Sequence, residues 1–203
     1  MISMDKIFKT LIVFCMLLQL LIASPVKAFA ESEEAIFAGG CFWCLEHDLE
    51  KLDGVVSAES GYSGGDLTNP TYENHLGHQE VVKVIFDPDV ISYKDLLKQY
   101  WVNIDPFDDE GQFCDRGNAY KPVIFTSNKG QESDAKESQE AISVALNIPL
   151  DQLKVDIIAS KDFWIAEKYH QDFSVKNPFK YNIYRTSCGR DNRLKKVWGE
   201  YKQ

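Results

Sequence analysis

A cysteine directly after a glycine pair, and a second cysteine three residues on, carry the most chemistry in this chain: Gly39-Gly40-Cys41-Phe42-Trp43-Cys44. An apolar, strand-like run from Ala35 to Ala38 ends there. Leu45, Leu49 and Leu52 then recur at helical spacing, so Cys41 to Leu52 reads as a helix. Cys41 falls at its N-terminus, where free N–H groups and the helix dipole favour negative charge. That setting lowers a thiol pKa and makes a nucleophile. Cys44 lies one turn away, near enough for a disulfide. Phe42 and Trp43 either wall an apolar pocket or simply belong to the core. The Cys-x-x-Cys spacing fits reactive thiol chemistry or half of a zinc site.

A second candidate is Glu80. Glu80, Val82, Val84 and Phe86 share one face of a predicted strand by period-2 alternation. A carboxyl group in an otherwise apolar row loses solvation and holds its proton to higher pH, which makes it a proton donor. The other reading is that Glu80 sits at the strand end and reaches water.

The elements that must position these groups follow from the rest of the chain. Residues 1–30 read as a secretory signal peptide: Lys6 and Lys9, an apolar run from Leu11 to Ala23 broken only by Gln19, and the small-x-small site Ala28-Phe29-Ala30. The run is short for a spanning helix, which speaks against an uncleaved anchor. The expectation is export, to the periplasm or beyond the cell, with cleavage near Ala30. Residues 31–203 then form a single domain, core about 35–198. The whole chain has a net charge of −9, and removing its basic start makes the rest more acidic still. With no basic block, nucleic acid and anionic membrane surfaces are poor partners. Four cysteines remain: Cys41, Cys44, Cys114 and Cys188. Two structural disulfides are one use for them in an exported protein, but a domain this long needs no staples, so redox chemistry is the better reading.

Strands are expected at Glu34–Ala38, Val55–Tyr62, Glu80–Phe86 and Tyr120–Thr126. Helices fall at Cys41–Leu52 and at Tyr93–Val102, the latter capped by Ser92. The order βαββαβ is that of a two-layer split-βαβ (ferredoxin-like) plait of the α+β class. Long loops lie at 63–79 and 103–118. A helix at Asn128–Leu146, a strand at Val155–Ala159, a helix at Phe163–Phe173 and an irregular polar tail complete the expectation.

The residues also resemble a known family, the A-type peptide methionine sulfoxide reductases. The resemblance covers about Ala35 to Trp198. It rests on Gly-Cys-Phe-Trp-Cys at 40–44, Ser-Gly-Tyr-Ser-Gly-Gly at 60–65, Asn-Pro-Thr-Tyr at 69–72, Gly-His-Gln-Glu at 77–80 and Phe-Asp-Pro at 86–88. Asp-Arg-Gly-Asn-Ala-Tyr at 115–120, Ala-Glu-Lys-Tyr-His-Gln at 166–171, Lys-Asn-Pro at 176–178 and Cys-Gly-Arg-Asp at 188–191 continue it in order. The resemblance implies roles. Cys41 is the nucleophile, Phe42 and Trp43 hold the S-methyl group, and Glu80 is the acid. Tyr72 and Tyr120 bond the sulfoxide oxygen, and Asp115 belongs to the substrate-binding loop. From the residues alone, Tyr72 and Asp115 read equally well as turn residues. The implied reaction reduces methionine sulfoxide, free or in proteins, to methionine, while Cys41 is oxidised to a sulfenic acid that then closes an internal disulfide. A thioredoxin-type donor recycles it. A monomer with no metal and no cofactor is expected.

The chain departs from the family at the recycling cysteines. Many members carry glycine or serine at the position of Cys44 and resolving cysteines in a glycine-rich tail. This tail has one cysteine. Ala119 and Lys121-Pro122 also differ from the usual pattern. Cys188, in a tail beside Gly189, ranks first as the resolving thiol. Cys44 ranks second, because a bond to it would pull Cys41 from the pocket. Cys114 ranks third, because its loop must hold Asp115 still. Glu46 and Asp48 crowd the Cys41 helix and oppose thiolate formation until substrate binds. Two alternatives stand beside this reading: an envelope thiol–disulfide oxidoreductase, and a structural zinc module with the four cysteines as ligands.

Overall fold

The strand that carries Glu80 organises the molecule. In the computed structural model, which describes residues 31–199 and 201, β3 (Gln79–Phe86) lies between β1 (Glu33–Ala38) and β2 (Val55–Ser63), antiparallel to both. The signal peptide and its cleavage site lie outside the described residues. The alternation reads out as expected. Glu80, Val82, Val84 and Phe86 are all buried; on the other face Lys83 and Ile85 are half-buried and Val81 is buried in a smaller cluster with Ile36 and Phe125. Beyond β1 lie β6 (Val123–Thr126), antiparallel to it, and then β7 (Asp156–Ala159), parallel to β6. At the other edge β8 (Trp164–Ile165) pairs with β2. The sheet is therefore mixed, in the order β7-β6-β1-β3-β2-β8, within an α+β fold. A separate two-stranded hairpin joins β4 (Gly111–Gln112) to β5 (Asp115–Arg116), inside the loop read as irregular.

Helices cover the sheet where apolar residues recur at helical spacing. α1 (Phe42–Glu50) buries Leu45 and Leu49 against β2 and β3. α2 (Tyr93–Trp101) buries Leu96, Leu97, Tyr100 and Trp101, and Ser92 caps it by accepting the Asp95 N–H. α3 (Lys129–Ala145) is capped in the same way by Asn128. Phe37, Val82 and Val84 meet these helices in one continuous core. The β1–α1 turn fixes where Cys41 points. Gly40 there has φ +80°, and a Cβ on it would stand 2.6 Å from Cβ of Gln112.

Two expectations fail at the C-terminal end. Residues 163–172 form no helix, and Phe173 only begins the next one. Trp164 and Ile165 instead pair with Tyr62 and Gly61, and the Gln171 amide clamps the chain to both backbone groups of Ser60. Edge pairing and these bonds outweigh a run of aromatics that mimics helical spacing. Nor is the tail irregular. It forms α4 (Phe173–Lys176), α5 (Pro178–Ser187) and α6 (Arg190–Trp198). Pro178 stands at the start of α5, where its missing N–H costs nothing, and Gly189, with φ +73°, separates α5 from α6. α6 buries Arg190, Leu194 and Trp198, four residues apart. Trp198 Nε1 donates to the Ile104 carbonyl at 2.8 Å, and Arg190 donates to the carbonyls of Gly39 and Asn103.

Candidate active site

Cys41 is the N-cap residue of α1, and its carbonyl accepts the N–H groups of Cys44 and Leu45. Its side chain is buried, at the floor of a cavity of about 40 Å³ lined by Cys41, Phe42, Trp43, Tyr72, Glu80, Asp115, Tyr120 and Tyr184. Every residue that the sequence offered as nucleophile, acid, oxygen partner or substrate wall lines this one cavity. They arrive from the β1–α1 junction, β3, the 63–79 loop, the hairpin and the turn before β6. Tyr184, from α5, was not anticipated.

Glu80 does not snorkel. It is 2% exposed, and its Oε2 accepts the Phe42 N–H at 3.1 Å. Burial pushes its carboxyl up to about 8, against the opposing pull of the Phe42 N–H and the Tyr120 hydroxyl. It therefore holds its proton at neutral pH. Tyr120, half-buried, is held protonated mainly by burial and then by the charge of Glu80. Tyr72 is tied down through its backbone, whose N–H donates to Glu167 Oε1 at 2.9 Å; Glu167 Oε2 accepts the Tyr62 hydroxyl.

The aromatic wall is fixed from behind. Trp43 stacks on Phe173 with ring centroids 3.7 Å apart, meets Tyr184 edge-on, and donates its Nε1–H to His170 Nδ1 at 3.0 Å. That bond leaves Nδ1 without a proton, and burial lowers the His170 pKa in the same sense. Next to Trp43 the Tyr184 hydroxyl donates to Asp115, whose carboxyl burial pushes upward. Sequence reasoning gave no role to Tyr184, Glu167 or His170. The last two lay within the quoted 166–171 motif. Tyr184 becomes visible only once Tyr181, Tyr184 and Cys188 are placed on one face of a helix.

The electrostatics of Cys41 correct the expectation of an acidic thiol. Burial raises its pKa, and contact with Cys44 and the charge of Glu80 raise it further. The first helical N–H, from Phe42, goes to Glu80 and not to the sulfur. Cys44 moves the other way, lowered by the hydrogen bond from Cys41 and then, against its burial, by Arg190 and Arg185. Glu46 and Asp48 are not what holds the Cys41 proton. Asp48 is paired with Arg185 at 2.9 Å and with Lys51, and Glu46 accepts the Asp172 N–H.

Two of the four cysteines are already joined to each other. Cys188 is bonded to Cys114, with Cα atoms 5.0 Å apart, and Cys44, not Cys188, lies beside Cys41. This arrangement overturns the four-cysteine zinc site. Two of the sulfurs are bonded to each other, and the one possible metal cluster among the described residues contains neither Cys41 nor Cys44.

A buried thiol facing a protonated carboxyl and two tyrosine hydroxyls, with a second thiol one turn away, defines a cysteine-dependent oxidoreductase. Comparison with known proteins narrows the class. The sequence profile of the peptide methionine sulfoxide reductase family matches residues 33–202, and the chain belongs to that family. It is 45% identical over 180 residues to peptide methionine sulfoxide reductase MsrA 2 of Caulobacter vibrioides, covering 87% of this chain and 90% of that one. It is also 45% identical over 175 residues to MsrA of Bacillus licheniformis, covering 84% and 96%. Among solved structures, reduced Mxr1 of Saccharomyces cerevisiae superposes with a TM-score of 0.66 at 26% identity, over 74% of this chain and 88% of that one. Methionine sulfoxide reductase A of Corynebacterium diphtheriae gives 0.64 at 25% identity, over 77% and 80%.

Proposed function

We propose the following working of this peptide methionine sulfoxide reductase. The substrate methyl group sits against Phe42 and Trp43, and its oxygen points to Glu80, Tyr72 and Tyr120. The Cys41 sulfur attacks the sulfoxide sulfur while Glu80 delivers a proton to the oxygen. The Cys41 thiol proton is given up in the same overall step. The protonated oxygen departs as water, a water then attacks the Cys41 sulfur and breaks its bond to the substrate sulfur, and methionine leaves with that electron pair; Cys41 is left as a sulfenic acid and Glu80 recovers its proton. Burial and its neighbours raise the pKa of resting Cys41, so in this reading the thiol gives up its proton only with substrate bound.

One observation carries this reading: Cys41 and the buried Glu80, whose carboxyl burial pushes upward, line the same small cavity, and Glu80 accepts the N–H of the residue next to Cys41. A general thiol–disulfide oxidoreductase needs neither Glu80 nor the tyrosines, and that alternative leaves them idle. Membership of the A-type family, with Phe42 and Trp43 at the methyl group and Glu80, Tyr72 and Tyr120 at the oxygen, supports selection of the S epimer. The decisive experiment is turnover of the two methionine sulfoxide epimers with dithiothreitol, by wild type and Cys41→Ser. Only wild type should act, and only on the S epimer; equal rates on both would sink the assignment.

The sulfenic acid condenses with a second cysteine, Cys44 or Cys188, and a thioredoxin-type protein reduces the disulfide. Free methionine sulfoxide and oxidised proteins are both substrates, the protein acts as a monomer, and no cofactor takes part. The basic and apolar start of the chain supports export with cleavage near Ala30. The order and antiparallel pairing of β6, β1, β3 and β2 support a split-βαβ plait as the core architecture.

A further inference from the structure

We infer that Cys114, Cys188 and Asp115, once the bond between the two sulfurs is reduced, form a binding site for a thiophilic divalent metal ion, with zinc as its natural occupant. The reductase reading above needs no metal. The site is additional to it, and only the effect of the metal on turnover rests on that reading.

Three observations carry it. The first is spacing. Both sulfurs and a carboxylate oxygen of Asp115 lie within 4.8 Å of one another. Zinc bonds of about 2.3 Å to sulfur and about 2.0 Å to oxygen, at tetrahedral angles, set two sulfurs about 3.7 Å apart and a sulfur and an oxygen about 3.5 Å apart. Asp115 Oδ2 already stands 3.9 Å from the Cys188 sulfur, and Cα atoms 5.0 Å apart leave two thiols room to part by rotating their side chains. The second is support from behind. The Tyr184 hydroxyl donates to Asp115, and the Cys114 N–H donates to the Cys188 sulfur at 3.2 Å. Partners of this kind orient metal ligands. The third is access. Cys114 is exposed, and Asp115 and Cys188 are half-buried. The neighbouring cations are engaged elsewhere: Arg116 pairs with Asp108 and Glu110, and Arg190 stacks over Phe113 and donates to the carbonyls of Gly39 and Asn103. Two thiolates favour zinc over calcium or magnesium, which prefer oxygen ligands. Water takes the fourth position.

Electrons, protons and charge balance. An external dithiol reduces the Cys114–Cys188 bond and becomes a disulfide itself. The metal ion then displaces the two thiol protons. Two thiolates and a carboxylate around a doubly charged cation leave one negative charge, which faces the field of Arg190. The ion does two things there. It withholds both thiols from exchange, and it draws Asp115, which lines the substrate cavity, away from its partner Tyr184. Zinc is therefore an inhibitor of the reduced enzyme, and closing the disulfide removes the ligands and expels it.

Titration with cobalt(II), followed by displacement with zinc, tests the site, because cobalt bound by thiolates in a tetrahedral site is strongly coloured. Protein reduced and freed of reductant without air should bind about one ion per chain, and oxidised protein none. Equal binding by both forms would mean surface carboxylates and overturn the site. The double variant Cys41→Ser/Cys44→Ser should still bind about one ion; loss of the signal there would move the metal to the buried pair. Cys114→Ser and Cys188→Ser should each weaken binding by about a hundredfold or more, and Asp115→Asn by about tenfold. Unchanged affinity in Asp115→Asn would overturn the three-ligand site. For the inhibition, methionine release from reduced enzyme is followed in a single turnover with no thioredoxin present. Zinc should slow wild type about tenfold or more, with recovery on adding a chelator, and should leave Cys114→Ser at its own metal-free rate. Equal slowing of both would overturn the inhibitory role. The titration needs no methionine sulfoxide, so it stands apart from the reductase reading, which alone fails if metal-free wild type releases no methionine.

Discussion

Glu80 has two tasks for one carboxyl group: it accepts the first helical N–H of α1, and it supplies the proton that turns a sulfoxide oxygen into a leaving group. Glutamine keeps the first task and loses the second. Glu80→Gln should therefore fold normally yet slow the chemical step by about 10²–10⁴ in single-turnover experiments. A rate equal to wild type would make Glu80 a cap and nothing more. Glu46 is a second buried carboxyl, raised to about 7 chiefly by burial, and it is remote from the chemistry. A carboxyl whose folded pKa lies above its unfolded one stabilises most below the unfolded value, and that stability drains away as pH rises through the folded value. Glu46→Gln can still accept the Asp172 N–H. Between pH 4.5 and 8, unfolding free energies should shift in favour of the glutamine variant by about 1–3 kcal/mol. A difference independent of pH would show that Glu46 is solvated in the folded state.

The β1–α1 turn is the element on which the site depends most. An alanine at Gly40 would have to hold φ near +80° and push into Gln112, whose amide bonds both the N–H and the carbonyl of Asp105. Gly40→Ala should cost about 2–4 kcal/mol in denaturant titrations. Its activity should fall further than that loss implies, since Cys41 is the next residue. Stability within experimental error of wild type would show that the turn can relax. This element was legible in the sequence, because a glycine pair between an apolar run and a leucine-spaced helix has few other meanings. β3 was legible too, through its clean alternation. The tail was not. α5 buries Tyr181 alone and α6 three residues, two of them apolar, so no apolar stripe announces either helix. What anchors them is hydrogen bonds to distant carbonyls and the Arg185–Asp48 pair, none of which leaves a local pattern. Tyr184 stayed hidden with its helix. The error at 163–173 has the opposite cause: Phe163, Ala166, His170 and Phe173 recur at helical spacing, but β2 offers Trp164 and Ile165 an edge.

At the scale of the molecule, the cavity is a meeting of distant segments. Trp43 rests on Phe173 from α4, and Asp115 rests on Tyr184 from α5. The Cys114–Cys188 bond ties that tail to the hairpin across 74 residues of chain. Its presence removes freedom from the unfolded chain, an effect worth about 2–5 kcal/mol for a native disulfide. The oxidised protein should accordingly melt several degrees above the dithiol form at equal pH, as scanning calorimetry with and without reductant would reveal; coincident transitions would mean that the tail docks without the bond. Durability and readiness are then opposed in this protein. It is toughest when spent and most vulnerable when charged, so proteolysis would fall hardest on the molecules standing ready to work.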